Sequence, residues 1–234
     1  MWSVFQKELK IYFSSILGYG VLTLYLLIGG IFFIISYATP VGISSFTGFF
    51  SVMNSTILFV IPFLTLRTVA EEYRYGTMEL LFTSPLSSWE IVLGKFLASF
   101  VFAGIAVTLL LIYPISLSFY APVEWGMVLS GYVGMLLSVG FFIALGILAS
   151  SLTQNLVIAG ILSFGFFVVL VSFSSVAMVS QEIVSAIFRE LSYYTHYQQF
   201  VQGVIRWVDL LYFVLGTFLW LYLTEWRLSS RVWK

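Results

Sequence analysis

Apolar residues occupy this chain in long blocks that charged residues do not interrupt. No Asp, Glu, Lys or Arg occurs from residue 11 to 66, nor from residue 96 to 123. A run of about 20 apolar residues is long enough to cross the hydrocarbon core of a bilayer as a helix. The pattern therefore predicts six membrane spans, at about residues 16–38, 46–66, 96–120, 126–149, 156–179 and 207–224.

The amino-acid composition supports the same interpretation. Of the 234 residues, 61% are hydrophobic and 9% are charged, and the mean hydropathy is +1.06. Soluble domains carry roughly 25% charged residues. The formal net charge is zero, which gives no indication of a nucleic-acid partner, and the absence of cysteine excludes disulfides and thiol chemistry. We expect an all-α polytopic membrane protein with a single transmembrane domain, residues 1–234.

The first residues form a helical amphipathic pattern ahead of span one. Trp2, Phe5 and Leu9 recur at helical spacing, whereas Lys7 and Lys10 fall elsewhere on the helical wheel. This pattern favours a helix over residues 1–15 that lies in the membrane interface. The alternative is that these residues are the first, water-exposed turns of span one.

A second amphipathic segment, residues 180–206, precedes span six. Ile183, Ile187 and Leu191 lie four residues apart, which predicts a helix with one apolar stripe. Such helices either narrow an exit at the outer face or only anchor span six in the membrane surface. Asp209 lies near the start of span six, and we expect Arg206, three residues earlier, to neutralise it.

The distribution of Lys and Arg predicts the orientation of the chain. Short cytoplasmic loops carry an excess of these residues. With six spans, eight of them fall on the face that holds both termini and two fall on the other, so both termini and residues 67–95 are expected in the cytoplasm. The eight are Lys7, Lys10, Arg67, Arg74, Lys95, Arg227, Arg231 and Lys234, and the two are Arg189 and Arg206.

The charged segment between spans two and three, residues 67–95, contains an apolar triplet. Gly76 and Thr77 are suited to start a short helix over residues 78–82, which would present Leu80-Leu81-Phe82. Exposed apolar residues on an aqueous loop either bind a protein partner or dip into lipid headgroups. Ser87 and Glu90 have capping-box spacing and are expected to begin the helix of span three.

This segment resembles the cytoplasmic signature of type-2 ABC exporter permeases. The similarity is carried by Glu71-Glu72, Gly76-Thr77, Glu79-Leu80-Leu81, Pro85, Glu90 and Gly94-Lys95. Other stretches resemble the branch that holds the gliding-motility permease and the nitrous-oxide-reductase maturation permease. These are Lys7-Glu8-Leu9, Leu145-Gly146 and Ser150-Ser151-Leu152, His196-Tyr197 and Asp209.

The resemblance implies a function and a set of partners. The short helix would be a coupling helix that docks in a cleft of a separate ABC ATPase, in the cytoplasmic membrane of a bacterium or archaeon. A second permease, either an identical copy or a paralogue, would complete the translocation path for an unidentified cargo. The residues implied in docking are Glu71, Glu72, Gly76, Thr77, Glu79, Leu80, Leu81, Phe82 and Pro85.

The chain lacks the residues that would let it bind ATP at a P-loop. Gly94-Lys95 is followed by Phe96 instead of Ser or Thr, and Trp89 stands where the P-loop needs its first Gly. We therefore expect no cofactor here, with ATP bound by the partner subunit, and no enzymatic activity in this chain.

Two alternative functions are compatible with the sequence. An ion-coupled transporter needs ionisable groups within the bilayer, for which Asp209 is the only candidate in the predicted spans. A membrane anchor for a soluble complex would also use the apolar triplet as a docking surface. An enzyme is disfavoured because His196 is the only histidine, and we expect it to be an interfacial residue in an aromatic belt.

Overall fold

The computed structural model describes residues 1–38, 46–79, 86–179 and 182–232. Within these residues the backbone forms helices and turns, and none of it forms a strand. The helices are α1 (Trp2–Ser14), α2 (Ile16–Ala38), α3 (Thr47–Thr65), α4 (Ala70–Tyr75), α5 (Ser88–Leu109), α6 (Ile112–Ser118), α7 (Trp125–Ser151), α8 (Leu156–Val179), α9 (Glu182–Leu191), α10 (Tyr193–Val201) and α11 (Trp207–Val232).

Six stretches of the described residues are long and apolar enough to cross a membrane. This finding confirms the predicted all-α fold with six spans. Two of these stretches contain more than one helix, because α3 is followed by α4 and α5 by α6. The stretches are 18–35, Thr47–Tyr75, Ser88–Ser118, Trp125–Ser151, Leu156–Ala177 and Trp207–Ser230.

Helix α7 forms the centre of the bundle. Most of its residues are buried, and α3, α5, α8, α10 and α11 all pack against it. Two of its glycines allow the closest approaches: a Cβ at Gly134 would lie 2.5 Å from Phe200 Cβ, and one at Gly146 would overlap the side chain of Thr65. The small residues of span four therefore receive side chains from α10 and α3, which fixes where these helices pack.

Span three differs from the prediction in its start and in its continuity. Its helix α5 begins at Ser88, eight residues before the predicted span, and ends at Leu109. Pro114 has no N–H to donate to the Leu110 carbonyl. That carbonyl instead accepts from Tyr113 N at 3.1 Å, and the chain turns there before α6 begins. The interruption expected near Pro114 thus lies a few residues ahead of it.

The N-terminal helix that the sequence predicts is present as α1. Val4 and Glu8 are its buried residues, whereas Trp2 is exposed. Val4 packs against Gly94 of α5, where an added Cβ would lie 2.9 Å from Val4 Cβ. Glu8 can face the bundle because Lys95, which is distant in the sequence, neutralises its carboxylate.

The segment before span six is helical, as the sequence predicts. It forms α9 and α10, and Gly203, with φ of +85°, ends the second helix after Val201. Only glycine adopts this backbone conformation without strain. Ile183, Ile187 and Leu191 are all exposed, so the apolar stripe of α9 does not pack on the bundle.

Candidate functional site

A buried charge cluster joins the N-terminal helix to the charged segment. The Lys95 ammonium, in α5, lies 2.8 Å from Glu8 Oε1 and 2.8 Å from Glu72 Oε2. It also donates a hydrogen bond to the Thr68 carbonyl oxygen. Lys95 is only 1% exposed. A buried ammonium is tolerated only where opposite charges and acceptors surround it, and here three oxygens do so.

Lys7 completes the charge cluster at its solvent-facing side. Its ammonium lies 2.7 Å from Glu72 Oε1 and 3.4 Å from Glu8 Oε1. Partial burial acts to lower the pKa of Lys7, but the contacts with the two carboxylates outweigh it and raise that pKa above its ordinary value. Lys7, Glu8, Glu72 and Lys95 together carry no net charge, which permits their burial.

The charge cluster gives Glu72 and Lys95 buried contacts that the sequence pattern did not indicate. Glu72, one of the residues that the resemblance implies in docking, is 7% exposed, and its carboxylate contacts both lysines. Lys95 was counted as a loop charge, yet it is among the most buried side chains. No local spacing indicates these pairs, because Glu8 and Lys95 are 87 residues apart.

The turn between α3 and α4, residues 66–69, is held by a side chain from α7. Ser150 Oγ accepts hydrogen bonds from Val69 N at 3.2 Å and Ala70 N at 3.0 Å, and donates one to Leu66 O at 3.1 Å. Ser150 is fully buried. The hydroxyl therefore pairs backbone groups that lose their helical partners where α3 ends. The sequence places Ser150 among the residues that resemble the family but does not indicate this hydrogen-bonding role.

Two more elements bind the backbone beside the 66–69 turn. Tyr12 of α1 donates its hydroxyl to the Leu64 carbonyl at 2.9 Å, and Lys95 of α5 donates to that of Thr68. The end of span two is thus bonded through its main chain to α1, α5 and α7.

The structure gives part of the predicted docking segment. Helix α4 ends at Gly76, whose φ of +70° is the left-handed conformation that glycine favours at helix C-termini. Gly76 therefore ends one helix, and Met78 and Glu79 have helical backbone after it. Glu71 is half-buried, whereas Thr77 and Glu79 are exposed. The predicted docking residues Leu80, Leu81, Phe82 and Pro85 lie outside the described residues.

The start of span three has the capping box that the sequence predicts. Ser87 Oγ accepts from Glu90 N at 3.3 Å, and Ser87 N donates to Glu90 Oε2 at 3.1 Å. The N-terminal ammonium lies 3.2 Å from Glu90 Oε1. This contact is exposed on both sides, so its contribution to stability is small.

A second polar cluster lies at the opposite end of the bundle, around Asp209. Arg206 donates two hydrogen bonds to the Asp209 carboxylate, from Nε to Oδ2 at 2.8 Å and from Nη2 to Oδ1 at 3.2 Å. Asp209 is 0% exposed. The hydrogen bonds that Arg206 donates to Asp209 raise the pKa of Arg206 above its ordinary value. The structure therefore brings together the two residues that the sequence pattern paired.

His196 takes part in this second cluster, which corrects its expected place in an aromatic belt. Its Nδ1 lies 2.7 Å from Asp209 Oδ1, its Nε2 lies 2.9 Å from the Glu190 carbonyl oxygen, and its ring stacks on Tyr212. The imidazole is buried between α9, α10 and α11 and joins them. In the described part of the chain, no His, Cys, Asp and Glu side chains group as a metal site.

Fold and sites together define an all-helical, multi-pass membrane protein. A central span, α7, packs against five other helices, and two polar clusters lie at opposite ends of the bundle. Residues 46–213, well over half of the chain, match the family described as ABC-2 family transporter protein. The chain belongs to that family and is a permease, the membrane component of an ABC transporter, which is not itself catalytic. A comparison with curated proteins gives no match.

Proposed function

We propose that this chain is the permease of an ATP-binding-cassette exporter and that residues 76–85 dock a separate ATPase in the cytoplasm. The resemblance of Gly76-Thr77 and Glu79 to the coupling-helix signature supports the docking site, and the excess of Lys and Arg at the same end supports the orientation. Within the family, the residues quoted above favour the gliding-motility and nitrous-oxide-reductase maturation branch. The membrane would be the cytoplasmic one, with both termini inside.

One observation supports this function above the others. The chain just before the docking segment, residues 64–72, is bonded to α1, α5 and α7 by the charge cluster and the Ser150 hydroxyl. A solvated loop that only bound a soluble protein would not need its backbone fixed to three helices. A force applied at residues 76–85 by ATPase closure would reach spans two, three and four together.

The mechanism follows from these contacts. Closure of two ATPases on ATP displaces both docking segments, and each displacement moves α4 as a unit with the 66–69 turn. Because Ser150 lies in the last turn of the central helix α7, the motion reaches the helix against which most of the bundle packs. A second permease, identical or paralogous, would face the first and complete the path for the cargo.

Charge reversal in the docking segment tests the proposal. Glu79→Lys and Leu81→Asp should each prevent co-purification of the ATPase, because the first inverts the charge and the second inserts a charge into the apolar triplet. Glu124→Lys is the matched control, since Glu124 is also exposed but lies just before α7, at the end that carries the Asp209 cluster. Unchanged co-purification with both docking variants would overturn the assignment.

Transport by the reconstituted chain, with and without the ATPase, distinguishes the alternatives. A membrane anchor would bind its soluble partner through the same segment but would show no ATP-dependent transport after reconstitution. An ion-coupled transporter would transport without any ATPase. Its one candidate carboxylate, Asp209, is occupied by Arg206 and His196, which favours a structural role for that residue.

A further inference from the structure

An amphipathic cavity of about 400 Å³ opens beside the charge cluster. It lies between α1, the first turns of α2, the end of α3 and α4. Ile11, Val21 and Phe63 line its apolar part, and the polar part includes Arg67 and Glu71. Phe63 is mostly exposed, and Arg67, on the polar part, is also exposed. An apolar wall thus lies beside a charged one, which suits an amphiphilic ligand.

The charges around this cavity fall into two groups. Lys7, Glu8, Glu72 and Lys95 neutralise one another in the charge cluster. Arg67 and Glu71 have no salt bridge, with each other or with any other residue that the structure describes. One guanidinium and one carboxylate thus remain available on the wall of an otherwise neutral cavity.

We propose that this cavity binds a zwitterionic phospholipid of the phosphatidylethanolamine type. The lipid phosphate would accept paired hydrogen bonds from the Arg67 guanidinium. The lipid ammonium would form an ion pair with the Glu71 carboxylate. The start of one acyl chain would lie along Val21 and Phe63, with the remainder in the bilayer. A cavity of this volume is in the range that holds small ligands, and its apolar wall selects an amphiphile over a soluble zwitterion.

The headgroup chemistry follows from the cavity and does not depend on the exporter assignment. Only the choice of leaflet rests on the proposed function, because the orientation puts the cavity at the cytoplasmic surface. The lipid has two possible sources: a resident lipid that stays bound during the cycle, or the transported cargo itself. Basic sites between membrane helices recognise lipid headgroups in this way.

The test uses the purified full-length chain in detergent. Phosphatidylethanolamine, phosphatidylglycerol and diacylglycerol with identical acyl chains are titrated, and bound lipid is counted by native mass spectrometry. Phosphatidylethanolamine should bind most tightly, phosphatidylglycerol more weakly because it lacks the ammonium, and diacylglycerol least. Arg67→Gln and Glu71→Gln should each weaken phosphatidylethanolamine binding roughly ten-fold, since each removes a charge-assisted contact.

Two further variants control for fold and for general charge effects. Arg74→Gln removes an exposed cation from α4 that does not line the cavity, and it should bind lipid as the unmodified chain does. Val21→Phe fills the apolar part and should weaken binding with all charges retained. Equal binding of the three lipids, or unchanged binding by both Arg67→Gln and Glu71→Gln, would overturn the proposal.

Measuring ATPase binding beside lipid binding distinguishes a failure of the lipid site from a failure of the proposed function. If the Arg67 and Glu71 variants lose the ATPase and keep the lipid, these charges belong to the protein partner and the lipid site is wrong. If the chain binds no ATPase, lipid titration still tests the cavity by itself. In vesicles with the ATPase, ATP-driven movement of labelled phosphatidylethanolamine identifies it as cargo, whereas binding without movement identifies a resident lipid; both results support the site.

Discussion

Single residues set the electrostatics at each end of this bundle, and Lys95 shows the principle most clearly. Its ammonium contacts Glu8, Glu72 and a backbone carbonyl while being almost wholly buried. Breaking a buried ion pair by removing one partner leaves an uncompensated charge and costs about 3–5 kcal/mol. The charge cluster thus joins α1 to α4 and α5. Helix α4 directly precedes the proposed docking segment, residues 76–85.

Lys95→Met should lower the free energy of unfolding by about 3 kcal/mol, because two buried carboxylates would then share Lys7 alone. Thermal unfolding of the purified chain measures the effect. Lys10→Met is the control, since Lys10 is an exposed lysine of α1, and it should change stability little. Adding Glu8→Leu to Lys95→Met restores neutrality and should recover part of the loss. Equal stability of Lys95→Met and Lys10→Met would show that the charge cluster has no structural role.

Asp209→Ala should impair export by leaving Arg206 and His196 without their shared carboxylate. The double variant Asp209→Ala with Arg206→Ala should recover part of the loss, since no unpaired guanidinium remains. Export by the reconstituted complex, normalised to folded protein, is the readout. Glu124→Ala is the control, because Glu124 is exposed at the same end of the bundle and is not part of the cluster. Normal export by all these variants would mean that the Asp209 cluster only anchors span six.

The two clusters differ in how far the sequence predicts them. Arg206 and Asp209 are three residues apart on one helical turn, so local spacing was enough to pair them. His196 reaches Asp209 across the break at Gly203, and Lys95 reaches Glu8 across 87 residues. Contacts of that kind depend on helix packing, for which a single sequence has no periodic signal.

Among the elements, the 66–69 turn links the docking segment to the spans. Its backbone groups leave the helical pattern at the end of α3 and would be costly to bury without partners. The Ser150 hydroxyl, supplied by α7, satisfies three of them. The turn is therefore fixed in place by a side chain, although turns between helices are usually among the more mobile parts of a fold.

Ser150→Ala should loosen this turn specifically. The variant leaves the Val69 and Ala70 amides without an acceptor, at a cost of about 1–3 kcal/mol. Hydrogen exchange of peptides that contain these two amides should become faster, and ATP-driven transport should fall while ATPase binding persists. Ser151→Ala is the control, because Ser151 Oγ bonds only within its own helix, to Leu148 O. Unchanged exchange in Ser150→Ala would contradict the role given to this hydroxyl.

Hydropathy predicted the elements far better than it predicted their faces. Six apolar blocks became six candidate spans, and the amphipathic stripe of α9 became a helix. The burial of Glu8 on α1 was not indicated by hydropathy, because it depends on an ion-pair partner from α5. The break of span three was displaced because a proline disrupts the helix through the carbonyl four residues earlier.

For the whole molecule, polar contacts collect at the two ends of an apolar bundle. The charge cluster, the 66–69 turn and the C-terminal half of α11 share one end, where Trp89 of α5 lies against Tyr222 of α11. The Asp209 cluster lies at the other. This distribution agrees with an orientation in which both termini and the docking segment face the same compartment.

Thiol labelling should identify that compartment, because the chain has no cysteine of its own. Ser230→Cys and Gln202→Cys place single exposed thiols at opposite ends of the bundle. An impermeant reagent should modify Gln202→Cys in intact cells, and Ser230→Cys only after the membrane is opened. Labelling in the reverse order would invert the proposed orientation.

Photo-crosslinking from Glu79 tests the docking of the ATPase most directly. Glu79→Cys, labelled with a benzophenone maleimide in opened membranes that contain the ATPase, gives a probe on an exposed residue of the docking segment. Gln202→Cys, labelled in the same way, is the control from the other end. We predict that illumination joins the ATPase to the chain labelled at residue 79 and not to the chain labelled at residue 202. No adduct from residue 79, or equal adducts from both positions, would contradict this account.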